Sequence, residues 1–233
     1  MVVELRVATF NIQHGLSAGG EVDVALLART CRRLDVDVLA IQEVDRHLER
    51  TDRLDIAAAV AEECAMSCAF GPAIAARGGE YGNALLVRGE IGAVDVLDLP
   101  RPSGREARAA LIADIKFSDS GAAETRMTAV STHLSVPAAD SEPQLQAVLT
   151  ALDTRPDPQL VLGDLNLPPD ALGPFAEAGY AIAGGGPTWP AKAPRRRIDH
   201  IVVRGFDIVS VETPQTGCSD HRPLVATVVT SGA

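Results

Sequence analysis

The chain has 233 residues, 46% of them hydrophobic and 22% charged, which allows one large domain or two small ones and excludes wholesale disorder. A formal net charge of −10 and an aromatic content of 3% weigh against a protein built mainly to neutralise duplex phosphates or to stack on bases. Four cysteines, Cys31, Cys64, Cys68 and Cys218, lack zinc-ribbon spacing and are too few for a disulfide framework.

The N-terminus runs straight into "VVELRVATF", without a basic start and a long apolar stretch. The expectation is a cytoplasmic protein with no stable membrane insertion. Apolar runs follow at 5–10, 36–41, 83–87, 109–115, 127–134, 159–163, 198–203 and 224–229. They are short and rich in Val, Ile, Leu and Ala, so they read as strands. Helical periods lie between some of them. "VDVALLARTCRRL" repeats Val24, Leu27, Cys31 and Leu34, and "RLDIAAAVAEECAM" places Ile56 and Val60 on one face. Cys64 and Cys68, four apart in that pattern, read as small buried hydrophobes. "SEPQLQAVLTAL" carries Leu145, Val148, Leu149 and Leu152, with Ser141 as the expected cap and Pro143 near the first turn.

Strands alternate with helices in places and run consecutively elsewhere, which predicts a mixed α/β fold of two sheets with helices outside. Residues 184–194, "GGGPTWPAKAP", form a loop rather than a boundary, because a strand pattern resumes at Ile198. The whole chain, 1–233, is therefore expected to be one domain.

Polar residues recur at the ends of these strands: Asn11, Glu43, Asn83, His133, Asp164 with Asn166, Asp199, and Asp220 with His221. Any one has a structural explanation; the repeated placement points to convergence in one site. Asp164 and Asn166 share a face if the strand continues through them. Glu43, bracketed by "LAIQ" and "V", is costly to bury unless a cation relieves it. Carboxylates without thiolates suit Mg²⁺ or Mn²⁺ better than zinc. Asp199 is the candidate to fix the tautomer of His221. The set fits hydrolysis at phosphorus, with a metal polarising phosphoryl oxygens and a carboxylate–amide pair aiming water. "SDH" at 219–221 is not a serine triad, since adjacent residues cannot serve as nucleophile, orienter and base, and no G-x-S-x-G occurs.

The order "TFNI", "IQEVDR", "GNALL", "THLS", "GDLN", "RRRIDHIVV" and "SDHRPL" resembles the endonuclease/exonuclease/phosphatase superfamily over residues 7 to about 229. His133 in "THL" is similar to the deoxyribonuclease, sphingomyelinase and inositol 5-phosphatase branches. "YGNALL" and "TWP" before "RIDH" look most like small bacterial phosphodiesterase-type members. The resemblance implies a four-layer, DNase I-like sandwich of two packed sheets flanked by helices. It implies Glu43 as principal Mg²⁺ ligand, with Asn11 and Asp220 also in the metal site. Asp164 would orient or deprotonate water beside Asn166. His133 and His221, the latter paired to Asp199, would stabilise phosphate or move protons, and Asn83 and Arg108 would bind the phosphate. One departure is Pro143, which stands three residues before Gln146, where such proteins often have Arg.

Three functions are in play. The first is a metal-dependent phosphodiesterase or phosphatase, with a small or lipid-derived ester favoured as substrate. The second is a nuclease on DNA or RNA, for which Arg195–Arg197 beside Asp199 supply a small basic cluster. The third is a non-catalytic binding protein. Segments 71–82, 100–106 and 184–197 are expected to frame the pocket.

Overall fold

A computed structural model describes residues 3–76, 78–118 and 124–231. Arg77, in the expected pocket frame, lies outside them. Twelve strands form two six-stranded sheets among the described residues. The first sheet contains β1 (Glu4–Asn11), β2 (Val38–Arg46), β3 (Ser67–Ala76), β4 (Gly79–Val87), β11 (Phe206–Glu212) and β12 (Leu224–Thr230), in the order β11-β12-β1-β2-β4-β3. The second contains β5 (Glu90–Asp98), β6 (Ala109–Phe117), β7 (Thr125–His133), β8 (Gln159–Asp164), β9 (Ala181–Ile182) and β10 (Asp199–Arg204), in the order β5-β6-β7-β8-β10-β9.

The central strands read as unbroken apolar runs because both of their faces are covered. On β1, Leu5 and Val7 enter the core between the sheets, while Ala8 and Phe10 enter a second core beneath the helices. Helices α1 (Val24–Leu34) and α2 (Ile56–Cys64) supply that second core through Leu27, Cys31, Ile56 and Val60. Helices α3 (Ala138–Leu152) and α4 (Gly173–Glu177) cover the other sheet through Leu145, Val148 and Phe175. The result is the expected four-layer sandwich. Asp23 caps α1 by accepting from the Leu26 N–H (2.7 Å), and Asp55 caps α2 by accepting from the Ala58 N–H (3.0 Å).

Several expectations are corrected. Helix α3 starts at Ala138, so Ser141 is not its cap; Ser141 Oγ donates back to the Pro137 carbonyl at 3.3 Å. The buried glutamine is Gln144, while Gln146 is exposed. Gln144 accepts from the Ser135 N–H (2.8 Å) and donates to the Pro100 carbonyl (3.0 Å). Cys64 ends α2 and Cys68 lies exposed on β3, because Ala65 turns left-handed (φ 53°) and breaks the helical spacing between them. Strands β3, β5, β9 and β11 fall outside the apolar runs expected from the sequence; in β3 the run is interrupted by Gly71 and Pro72. All four are edge strands and β5 is mostly exposed, so little of their sequence is constrained by burial.

Candidate active site

Two βαβ units set the site. In each, a helix links parallel neighbours, β1–α1–β2 and β7–α3–β8. Parallel sheets gather ligands beyond the carboxyl ends of their strands, and those ends carry Asn11 and His133 with Asp164. The antiparallel strand β10 starts opposite, with Asp199 in register with Asp164. The loop before β12 closes the arrangement: Ser219 Oγ donates to the Asn11 carbonyl (2.6 Å) and accepts from the His221 N–H (3.1 Å).

Glu43 reaches the cleft through a β-bulge. Ile41 pairs with Ala84 and Val44 with Gly82, so Gln42 and Glu43 together oppose Asn83. Glu43 is left-handed (φ 59°) and half-buried. That corrects the expectation of a Glu sunk among apolar neighbours: the extra residue turns it outward. The buried residue is Gln42, which accepts from Thr9 Oγ1 (3.1 Å) and faces Ser131 Oγ across the sheet interface (3.4 Å).

The acid, amide and imidazole groups converge. Asn11 Nδ2 donates to Glu43 Oε1 (2.9 Å) and to Asp164 Oδ2 (3.0 Å). His221 Nδ1 lies 2.9 Å from Asp199 Oδ2, and its Nε2 lies 3.7 Å from Asp164 Oδ2. His133 Nε2 is 3.5 Å from the same Asp164 oxygen. Asn166, left-handed at φ 53°, donates its backbone N–H to Asp164 Oδ1 (3.1 Å) and its amide to the Leu134 carbonyl (3.0 Å).

Charge separates the two histidines. Burial would lower the pKa of His221, but the Asp199 carboxylate, with Asp164 and Asp220, more than offsets this and raises it to about 9. His221 is therefore an imidazolium at neutral pH. His133 goes the other way: burial, then Arg108 and His221, hold it well below the usual range. Arg108 Nη1 lies 3.3 Å from His133 Nδ1. Asn166 Nδ2 lies 3.2 Å from His133 Nε2, so N–H donors face both ring nitrogens, and a neutral imidazole accepts at only one of them. Burial and the neighbouring Asp199 carboxylate raise the Asp164 carboxyl to about 7, near the value that suits a base at neutral pH.

Asn83 and Arg108 lie beside His133, but both are already engaged. Asn83 donates to the Ala109 carbonyl (2.8 Å), tying the two sheets together. Arg108, 11% exposed at its side chain, pairs with Glu106 (2.8 Å), and its Nε is buried without a partner. Asp220 accepts from Trp189 Nε1 (3.2 Å). The Arg195–Arg197 cluster is largely spent on its own loop. Arg196 stacks over Trp189 with its guanidinium carbon 5.8 Å from the ring centre, and Arg197 donates to the Gly185 carbonyl.

A cleft of about 590 Å³ opens beside Glu43 and Arg108; it also takes Gln13, His14, Arg50 and Tyr81. Gln13, His14 and Arg50 are not among the residues or segments expected from the sequence. "NIQHG" beyond the end of β1 was the available signal for Gln13 and His14, whose left-handed backbones (φ 45° and 46°) fold the segment back over the site. Arg50, in the charge-rich "RHLERTDR", had none. Of the expected frame, 71–82 is largely the β3–β4 hairpin and contributes Ile74 and Tyr81, while 100–106 contributes Glu106.

The residues fit a divalent cation. Asp164, Asp199 and Asp220 all act on His221, and Glu43 joins them through Asn11. Asp199 Oδ1 is buried without a hydrogen-bond partner. Asp164, Asp199 and His221 each offer one ligand atom within 4.8 Å of the others. An imidazolium has no lone pair to give, however, so while His221 is charged this trio holds a proton. Glu43 and Asp220 are the better hard-oxygen ligands. Asn11 differs from expectation: its oxygen accepts from the Gln13 N–H (3.1 Å), leaving its amide N–H groups to the carboxylates.

Two sheets packed face to face, with this cluster at one end, define a DNase I-like four-layer protein. The profile of the Endonuclease/Exonuclease/phosphatase family matches residues 8–221, and the chain belongs to that family. Among solved structures it is similar to an endonuclease/exonuclease/phosphatase from Beutenbergia cavernae, with 26% identity and a TM-score of 0.82 over 99% of this chain and 72% of that one. It shares its fold with the human Nocturnin catalytic domain with bound sulfate (18% identity, TM-score 0.73, 99% and 97% of the two chains). The same holds for D. rerio TDP2 complexed with a single-stranded DNA product (18%, 0.70, 97% and 98%). Comparison with curated proteins yields no match.

Proposed function

We propose that this chain is a phosphoesterase dependent on Mg²⁺ or Mn²⁺, and that residues 1–233 act as one catalytic domain. The observation that carries this reading is the Asn11 amide joining Glu43 to Asp164, with His221 and Asp199 directly behind. Glu43 and Asp220 hold the ion, and Asn11 orients Glu43. When bound, the ion supplies Lewis-acid polarisation of a phosphoryl oxygen and offsets charge on the leaving oxygen.

The protein's own groups do the rest. Asp164 aims a water and takes its proton, with Asn166 fixing the other carboxylate oxygen. The Nε2–H of cationic His221 donates to an equatorial oxygen as negative charge grows there, with His133 packed beside the same phosphate. Asp199 keeps His221 cationic and oriented. Arg108 and the remaining N–H of Asn83 bind the phosphate. The water oxygen bonds to phosphorus, the leaving-group bond breaks, and the departing oxygen takes its proton from cleft solvent.

The test is hydrolysis of bis-p-nitrophenyl phosphate and p-nitrophenyl phosphate with each metal. Turnover is expected from the native protein and lost in Glu43→Ala. Equal rates for the two proteins would remove the proposal.

A further inference from the structure

A second hollow, about 550 Å³, shares Gln13 with the first and reaches the site at Ser219 and Asp220. Its walls include Ala18, Ala191 and Gly217, with Lys192. The first hollow reaches the site at Glu43 and Arg108, and Leu48, Ile74 and Tyr81 supply its less polar surface. The two share Gln13, and one is lined by Glu43 and the other by Asp220, the two carboxylates proposed to hold the ion. A phosphate held between them has room for a substituent on each side.

The charges say what those substituents are. The arginines of the first hollow are already neutralised: Arg50 is held by the buried Asp45 through two hydrogen bonds (2.7 and 2.6 Å), and Arg108 by Glu106. Glu43, Glu49 and Glu106 line the same hollow. In the second, Asp220 faces Lys192, which has no carboxylate partner among the described residues. Polyanions draw their affinity from cations free to neutralise successive phosphates, and this groove offers almost none away from the reacting centre. Glu106 is likewise spent on Arg108 and Glu49 on Arg53 (2.7 Å), so the first hollow offers little free charge of either sign, and a monoester, with one arm, leaves one hollow unfilled.

We infer that the groove selects a phosphodiester with a single phosphate and two uncharged organic arms, one seated in each hollow. This rests on the phosphoesterase reading above. The bond from phosphorus to one arm breaks and that arm leaves as an alcohol; the water oxygen takes its place, and the other arm stays on the monoester product. That product has lost one arm and with it the contacts of one hollow, which promotes its release.

The experiment compares three substrates on the metal-supplemented protein: bis-p-nitrophenyl phosphate, p-nitrophenyl phosphate and supercoiled plasmid. The diester is expected to exceed the monoester in kcat/KM by about tenfold or more, with no nicking of plasmid. Two plugs localise the arms. Leu48→Trp fills the first hollow. Gly217→Trp fills the second, where an added Cβ meets nothing within 4 Å. Each is expected to raise KM for the diester about tenfold. A monoester rate equal to or above the diester rate, rapid plasmid nicking, or a Gly217→Trp variant with unchanged KM would overturn the inference and leave the phosphoesterase reading standing. No turnover of any of the three would overturn both.

Discussion

Replacing Asp199 by Asn tests the electrostatics of the site without touching its shape. The Asp199 carboxylate is the main attraction that lifts His221 to about 9 against the cost of burial. In the unfolded chain the same imidazole titrates near 6.5. Because its folded pKa is raised, His221 stabilises the fold fully below 6.5 and loses that contribution as pH rises through 9. Between pH 7 and 8.5, proton binding at this one residue accounts for about 1–2 kcal/mol of stability. A neutral carboxamide in place of the carboxylate cannot hold the imidazolium, so burial dominates and His221 is neutral across the window. Urea unfolding followed by circular dichroism, in EDTA, measures both proteins at the two pH values. Native stability is expected to fall more steeply than that of Asp199→Asn, by about 1–2 kcal/mol over the interval. The cysteines cancel in the difference, while Asp164, raised to about 7 by burial and then by Asp199, adds a smaller loss of native stability at the lower end of the window. Equal slopes would refute the charged His221–Asp199 pair and, with it, the cationic role proposed for His221.

Asp164→Asn should lower turnover by about 10²- to 10⁴-fold, yet hold or raise the unfolding midpoint, because the native fold disfavours the ionised carboxylate it removes. Gly163→Ala should damage stability and activity together: an added Cβ lies 2.2 Å from the Thr132 carbonyl oxygen of the neighbouring strand. The cost is about 1–3 kcal/mol by overpacking, read from the same unfolding curves, with Asp164 displaced alongside. Trp189 is the sole tryptophan, and its indole donates to Asp220. Adding Mn²⁺ to the EDTA-treated protein should therefore change its fluorescence in a saturable way, and Asp220→Asn should abolish that response.

Local sequence suffices for the layered sheets and for the polar residues that close their strands. Strands buried on both faces must be apolar throughout, so β1, β2, β6, β7, β8 and β12 stand out as runs, and a carboxylate or imidazole closing such a run is conspicuous. Edge strands such as β5 and β11 bury little, and their residues are free to look like loops. Tertiary structure alone decided how the endings meet. The bulge at Gln42 and Glu43 turns the glutamate out of the core, a choice of register that pairing with β4 makes and local sequence does not. Likewise Asn11 spends its oxygen on Gln13 and its N–H groups on two carboxylates, one of them 153 residues away along the chain. The protonation of His221 and the neutrality of His133 are set by burial and by neighbours from other strands and loops. Those neighbours come together only because antiparallel β10 and β12 begin where parallel β1 and β8 stop.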